Sequence, residues 1–365
     1  MSPPVAFRLG SFSVAGEPPF AGLVLGEHVY AVHGLVPLER ALGLHLHGAD
    51  SVLGLLERWD ENLPTLQAIA EALAAHPAQD AAQARIASPT SALPTQAVAP
   101  LATLRVHPPV VPRQIFQAGA NYHKHVIELI VDGAIARDPA ADRDHIRTNA
   151  EEMMRKRAQS GKPFVFMGLA SSLTGPSDPI VVPQEVQQPD WELELAAVIG
   201  RPARRVSHAE ALTYVAGYTI ANDITARELV ARPDVPQMGM DWVASKGAPT
   251  FLPIGPLLTP ARFVGDPQQL KITLKLNGQL MQDESTADMI FSVARLVEFI
   301  SQHVQLLPGD LVLTGSPSGN GTHYRRFIQD GDVLEGEITG LGRLRNPCVA
   351  APRSATQGDP QHVKR

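Results

Sequence analysis

The sequence predicts an α+β chain, a strand-rich body with a few helices preceded by a small α/β unit. Three observations carry that expectation. The 365 residues include 29 glycines and 32 prolines, an excess over average usage that marks many turns and short elements. Short apolar runs in the later part of the chain alternate or stay continuous as strands do. From Ala78 to Pro112 the chain is rich in Ala, Pro, Gln, Ser and Thr, the composition of a connection. Residues 1–112 are therefore expected to form a small N-terminal domain with its linker. Residues 113–350 form the main unit, and the polar residues 351–365 a disordered tail.

The elements follow in order. Short strands broken by Gly and Pro occupy residues 7–32, notably Phe20–Gly26 and His28–Val32. A helical pair comes next. Val52, Leu55, Leu56 and Trp59 share one helical face, as do Leu66, Ile69, Ala70 and Leu73, with Pro64 near the start and Pro77 past the end. Ile115–Gly119 reads as a strand leading into Asn121–Leu129, and a polar stretch runs from Asp132 to Arg147 with a turn at Asp138-Pro139. Thr148 and Glu151 form a capping box that starts a helix, supported by Glu151/Arg155 and Glu152/Lys156 and ended by Gly161. Phe164–Met167, Leu193–Ile199 and Lys271–Leu276 are strands, the last ending in the hairpin pair Asn277-Gly278. Ile290, Val293, Val297, Ile300 and Val304 recur at helical spacing, and Pro308-Gly309-Asp310 turns into the strand Leu311–Leu313.

Composition narrows the function. Lys and Arg total 31 against 37 Asp and Glu, a net charge of −6, which argues against nucleic-acid and anionic-membrane binding. The single cysteine, Cys348, excludes an intramolecular disulfide framework and a Cys-rich metal site, and fits a reducing cytoplasm. No signal peptide is read at the N-terminus, and no apolar stretch approaches the ~18 residues of a spanning helix.

The chemistry concentrates in four segments. In Asp190–Gly200, a strand would point Glu192 and Glu194 to one face, a repelling pair comfortable only in solvent or around a cation. Taken alone, such a pair is more often a solvated strand face. The apolar run Leu195–Ile199 instead sets it at the mouth of a core strand. Asp223, after the apolar run Gly217–Ala221, is either a turn residue or a third carboxylate. Three carboxylates suit Mg²⁺, Mn²⁺ or Ca²⁺ rather than zinc. His125 and Glu128, three residues apart, meet if helical, as a surface pair or as a general base with its orienting carboxylate; His123 is a rival. Thr314–Gly321 is a Gly/Ser turn after a strand, an ordinary turn or an anion-holding loop. His45 and His47 read as loop residues, Cys348 as an inert buried thiol and Trp191 as a cap on the core.

Order and spacing together are more specific. From Ile115 to Asn346 the chain resembles the fumarylacetoacetate hydrolase family, through Gly119-Ala120-Asn121-Tyr122, Trp191–Leu195, Val198–Arg201, Gly217-Tyr218-Thr219, Asn222-Asp223 and Ala226-Arg227. The likeness continues at Lys246, Pro253–Pro256, Asn277-Gly278, Pro308–Asp310, Thr314–Gly319 and Gly340–Gly342. The resemblance implies an α+β fold built on a β-roll, a homodimer and a divalent metal. It implies Glu192, Glu194 and Asp223 as ligands, and His125 with Glu128 as a water-activating dyad. By position it sets Lys246 near metal and substrate, Thr250 nearby, and Tyr122, Arg227 and Ser316 toward the substrate. Two positions depart from the pattern: Gly168 and Leu169 replace a Lys-Pro pair, and Val230 replaces a glutamine. The implied activity is metal-assisted hydrolysis of a carbon–carbon bond in an acylpyruvate-like 1,3-diketo or 2-oxo acid, as in aromatic compound catabolism. Decarboxylation, isomerisation or dehydration of a 2-oxo or sugar acid is the alternative on this scaffold. A non-catalytic metabolite-binding dimer is the alternative of another class. The helix within Leu129–Lys162 is expected to act as a lid.

Overall fold

A computed structural model describes residues 3–75 and 98–352. The N-terminal strands are β1 (Arg8–Ser13), β2 (Phe20–Leu25), β3 (His28–Ala31), β4 (Val98–Pro100) and β5 (Arg105–His107). Helices α1 (Val36–Leu42), α2 (Val52–Leu56) and α3 (Trp59–Ala75) lie between β3 and β4. Strand β6 (Ile115–Gly119) leads into helices α4 (His123–Arg137) and α5 (Arg143–Ser160). There follow β7 (Phe164–Met167), β8 (Leu173–Thr174), β9 (Ile180–Val182), β10 (Pro189–Asp190), β11 (Leu193–Ile199), β12 (Val215–Asn222) and β13 (Thr225–Ala226). The chain continues through α6 (Trp242–Lys246), β14 (Leu252–Pro260), β15 (Lys271–Leu276), β16 (Gln279–Ser285) and α7 (Val293–His303). It closes with β17 (Leu311–Leu313), α8 (Gly321–Tyr324), β18 (Val333–Ile338) and β19 (Gly342–Ala350).

The main sheet has 12 strands, ten on the path β4-β3-β2-β1-β14-β12-β11-β17-β6-β7 and two off it, β5 beside β1 and β8 beside β14. A second sheet of 5 strands runs β16-β15-β18-β19-β9. This mixed architecture is the expected α+β class. The central strands β11 and β12 are buried at every position, which is why Leu195–Ile199 is a continuous apolar run. Strand β15 alternates because one face meets the core and the other solvent. Asn277 and Gly278 take φ of 52° and 82°, the left-handed pair that a two-residue hairpin requires.

The N-terminal strands join the same sheet as the body. Leu9 of β1 sits opposite Leu258 of β14, and one apolar cluster unites Phe7, Leu9 and Trp59 with Val198, Ile254 and Leu313. The expected connection is structured where it is described, since β4 pairs with β3 and β5 with β1. Its remaining residues, 76–97, and the tail residues 353–365 lie outside the described residues. The helical hairpin also differs from expectation. Helix α4 continues through the polar stretch to Arg137, and α5 starts at Arg143, five residues before Thr148. Asp142 is the cap, its carboxylate accepting from the N–H groups of Asp144 and His145 at 3.1 Å each. Thr148 lies inside the helix and donates to the Asp144 carbonyl.

Candidate metal centre and active site

Strand pairing assembles the carboxylates. Leu193 of β11 lies opposite Asn222 of β12, so Glu192 and Asp223 flank the same end of one ladder, and the Asp223 N–H donates to the Glu192 carbonyl at 2.9 Å. Glu194, two residues along β11, shares the face of Glu192. One carboxylate oxygen from each of Glu192, Glu194 and Asp223 lies within 4.8 Å of the others, and all three residues are buried.

Neighbouring elements supply the partners. Lys246, at the end of α6, points its ammonium into the group and donates to Glu192 (2.8 Å), Asp223 (2.6 Å) and Thr225 (2.6 Å). The short helix holding it is capped by Asp241, which accepts from the Ala244 N–H. Arg227 donates to Asp190 at 2.8 Å and Glu192 at 2.7 Å. Gln117 of β6 donates to Asp223 at 2.7 Å, and the Gly315 N–H donates to Glu194 at 2.7 Å.

The charges do not balance within the protein. Asp190, Glu192, Glu194 and Asp223 face Lys246 and Arg227, which leaves an excess of negative charge in a buried site. Burial alone would raise the Glu192 carboxyl, but Arg227 and Lys246 outweigh it and hold this group below the usual carboxylate range. Burial pushes Asp223 up to about 6 against the pull of Lys246. Glu194 is driven well above its ordinary value by burial and then by Asp223 and Glu192. An all-oxygen donor set short of positive charge fits a hard divalent cation, and Glu192, Glu194 and Asp223 are the residues that would hold it.

These groups open into a cavity of about 250 Å³ that also exposes His125, Arg227, Val230, Ser316 and the stacked pair Phe166–Trp242. The two rings lie 4.1 Å apart, and the Lys246 ammonium sits 5.8 Å from the Phe166 ring. Burial lowers the His125 imidazole to about 4, with Arg227 adding to the effect and Glu192 opposing it. His125 is therefore neutral near pH 7.

The other expected residues are placed as follows. His123 is tied to the Asp288 carbonyl at 2.9 Å, which leaves His125 as the histidine of the cavity. His125 and Glu128 do not form the expected pair. The imidazole nearest to Glu128 is that of His323, at 3.6 Å, and both side chains line a neighbouring cavity. Ser316 reaches the cavity and accepts from Gln282 at 3.0 Å. Tyr122 is fully buried behind the site, its hydroxyl without a hydrogen-bond partner, and does not line the cavity. Thr250 faces away and accepts from the Val181 N–H. Arg227 is committed to two carboxylates rather than free for a substrate. His45 and His47 do have acidic neighbours, Glu39 and Glu61, brought by α1 and α3.

Gln117, Asp190, Thr225 and the Phe166–Trp242 pair are additions that no motif marked. One signal for Gln117 did exist, the departure at Gly168. A Cβ on Gly168 would lie 2.9 Å from the Gln117 Oε1 atom, so the missing side chain makes room for the glutamine that holds Asp223.

The fumarylacetoacetate (FAA) hydrolase C-terminal profile matches residues 114–349, well over half of the chain. Oxaloacetate tautomerase fahd2, mitochondrial, of Xenopus laevis is 40% identical over 190 residues, covering 52% of this chain and 58% of that protein. The 2,4-didehydro-3-deoxy-L-rhamnonate hydrolase of Sphingomonas sp. (strain SKA58) is 43% identical over 187 residues, covering 50% and 64%. The chain thus spans less than two thirds of the length of these relatives. Among solved structures, 2-hydroxyhepta-2,4-diene-1,7-dioate isomerase from Mycobacterium marinum aligns with a TM-score of 0.61 at 26% identity, covering 95% of this chain and all of that one. Profile and relatives agree with the assembled carboxylates: the chain belongs to the fumarylacetoacetate hydrolase family, a family of enzymes.

Proposed function

We propose that the protein is a divalent-cation-dependent enzyme that cleaves a carbon–carbon bond beside a carbonyl in a small 1,3-diketo or 2-oxo acid. One observation carries the reading: three buried carboxylates, a buried lysine and a neutral histidine open into one cavity. A bound cation would polarise a carbonyl oxygen and offset the negative charge that develops there.

The protein's own groups do the rest. His125 is unprotonated near pH 7 and accepts a proton from water, which then attacks the carbonyl. Lys246 keeps a buried positive charge beside the reacting group, since Asp223 and Glu192 outweigh the burial that would lower it. Arg227 fixes Glu192, and Gln117 fixes Asp223. Phe166 and Trp242 wall off solvent, and the Ser316 hydroxyl is held for a substrate carboxylate.

Proton transfer within a 2-oxo acid, as tautomerisation or isomerisation, is the second reading. It is favoured by the missing His125–Glu128 contact, because a base that moves a substrate proton needs no oriented water. The test is turnover of acylpyruvates and oxaloacetate with Mg²⁺, Mn²⁺ or EDTA, with the products identified. Two acids, or an acid and a ketone, support cleavage. Loss of the enol form with its carbon skeleton intact supports proton transfer.

A homodimer is part of the proposal, supported by the exposed apolar residues Phe164, Met167, Met238, Met240 and Val243. A cytoplasmic site of action fits the lone cysteine, and no described helix is long and apolar enough to cross a membrane.

A further inference from the structure

We infer that the carboxylate cavity selects a 2-oxo acid with an apolar tail, an alkyl or aryl chain that carries no second carboxylate. The inference rests on the keto-acid reading above and deepens it to a substrate class.

The cavity wall divides by chemistry. Hydrogen bonds of 2.6 to 2.8 Å gather Glu192, Asp223, Arg227 and Lys246 into one charged cluster, with Glu194 beside it. Six large apolar side chains also line the cavity: Leu129, Phe164, Phe166, Val230, Met240 and Trp242. Three segments bring them together. The loop from Val230 to Trp242 closes on itself, since Ala231 pairs with Met240 and the Asp241 N–H donates to the Val230 carbonyl at 2.8 Å. Strand β7 supplies Phe164 and Phe166, whose ring centroids lie 6.0 and 4.1 Å from that of Trp242. On α4, Leu129 follows His125 by one helical turn, so the two share a face.

Charge and burial together define the tail. Lys246 is engaged by Glu192 and Asp223, and Arg227 by Asp190 and Glu192. Among the described residues of this wall, no cation is left for a second carboxylate. Hydroxyls on the tail would lose water and find no side-chain partner on the six apolar groups. An alkyl or aryl chain instead covers Leu129, Phe164 and Met240, which are 45%, 45% and 57% exposed. Val230 stands where the family resemblance calls for a glutamine, so a departure from that pattern lies on this wall and runs from polar to apolar. His125 and Leu129 also border the second cavity, of about 490 Å³, whose wall carries His323 and Arg325. An acidic tail would be read there, which makes preference for a dicarboxylate the contrary outcome.

Calorimetry on the full chain, with Mg²⁺ and with EDTA, compares 2-oxobutanoate, 2-oxooctanoate and 2-oxoadipate, none of which has the second carbonyl of a 1,3-diketo acid. With Mg²⁺, 2-oxooctanoate is expected to bind at least about tenfold more tightly than 2-oxobutanoate. It adds four methylenes, each worth about fourfold when fully buried, and the wall covers part of each. The dicarboxylate is expected to bind no more tightly than 2-oxobutanoate. Val230→Gln and Met240→Gln put an amide on the wall, and each is expected to reduce the tenfold ratio severalfold. Equal affinities for the three acids, tightest binding of 2-oxoadipate, or a ratio kept in both variants would overturn the inference and spare the keto-acid reading. So would 2-oxooctanoate binding undiminished in EDTA, which would place the chain away from the carboxylates. Failure of all three acids to bind would bring down both.

Discussion

At the scale of single residues, burial and charge decide what each side chain can do. His125 has a folded-state value of about 4 against the ordinary 6.5, so between those values the unfolded chain binds more protons than the folded one. The neutral imidazole therefore contributes stability that is present above pH 6.5 and lost as pH falls toward 4. In EDTA, the stability gap between the unmodified chain and His125→Gln should shift by up to about 3 kcal/mol between pH 7 and pH 4, against the unmodified chain. Denaturant titrations at the two pH values check this. Turnover by His125→Ala should fall by about 10²-fold or more with metal affinity retained, since the imidazole is not among the three carboxylate ligands. Kinetics and Mn²⁺ titration of that variant read the two separately. Gly168→Ala should weaken metal binding severalfold by crowding Gln117 away from Asp223, with the same titration as readout. The carboxylates and His125 were legible through the family resemblance, since each local signal taken alone, two glutamates on one strand face, an aspartate after a strand or a histidine in a helical turn, has an ordinary structural reading. Gln117 was not, because its contact with Asp223 spans 106 residues and a strand glutamine carries no motif.

At the scale of elements, β6, β7, β11, β15 and β17 were legible from period and turn chemistry, while β14, β18, β19 and the extent of the helical hairpin were not. The Thr148–Glu151 pattern is a genuine capping signal in isolation, but Asp142 competes for the same helix and captures two free N–H groups six residues earlier. Asp142→Ala should therefore destabilise the protein by about 1 kcal/mol, while Thr148→Ala should have a smaller effect. Thermal denaturation of the two variants compares them. The hairpin carries His125 on its first turn and is pinned from α5 by Arg157, which donates to the Ala120 carbonyl and lies over Phe291. The proposed lid role for α5 thus requires this anchor to hold or release the segment. The His125–Glu128 contact expected from the sequence is absent in this structure. Three residues apart on a helix permits a contact, but His323 and the second cavity lie on the side that Glu128 faces.

At the scale of the whole molecule, the sheet is the device that makes the site. Antiparallel β11 and β12 set Glu192, Glu194 and Asp223 together, while β17 and β6, next in the sheet, bring Gly315 and Gln117. Among the described residues, none lining either cavity precedes Ala118. The continuity of the N-terminal strands with β14 was not legible, because Leu9 and Leu258 pair across most of the chain and no local pattern marks such a partner. The buried charge excess has a global consequence as well. A divalent cation that binds only the folded chain adds about 2.7 kcal/mol at a hundredfold excess over its Kd.

Mn²⁺ titration of the unmodified chain and of Glu194→Gln, followed by calorimetry, tests the metal centre most directly. The account predicts one tight ion per chain, with affinity reduced at least about tenfold by the loss of one carboxylate charge. No saturable binding to the unmodified chain, or equal binding to both proteins, would contradict it.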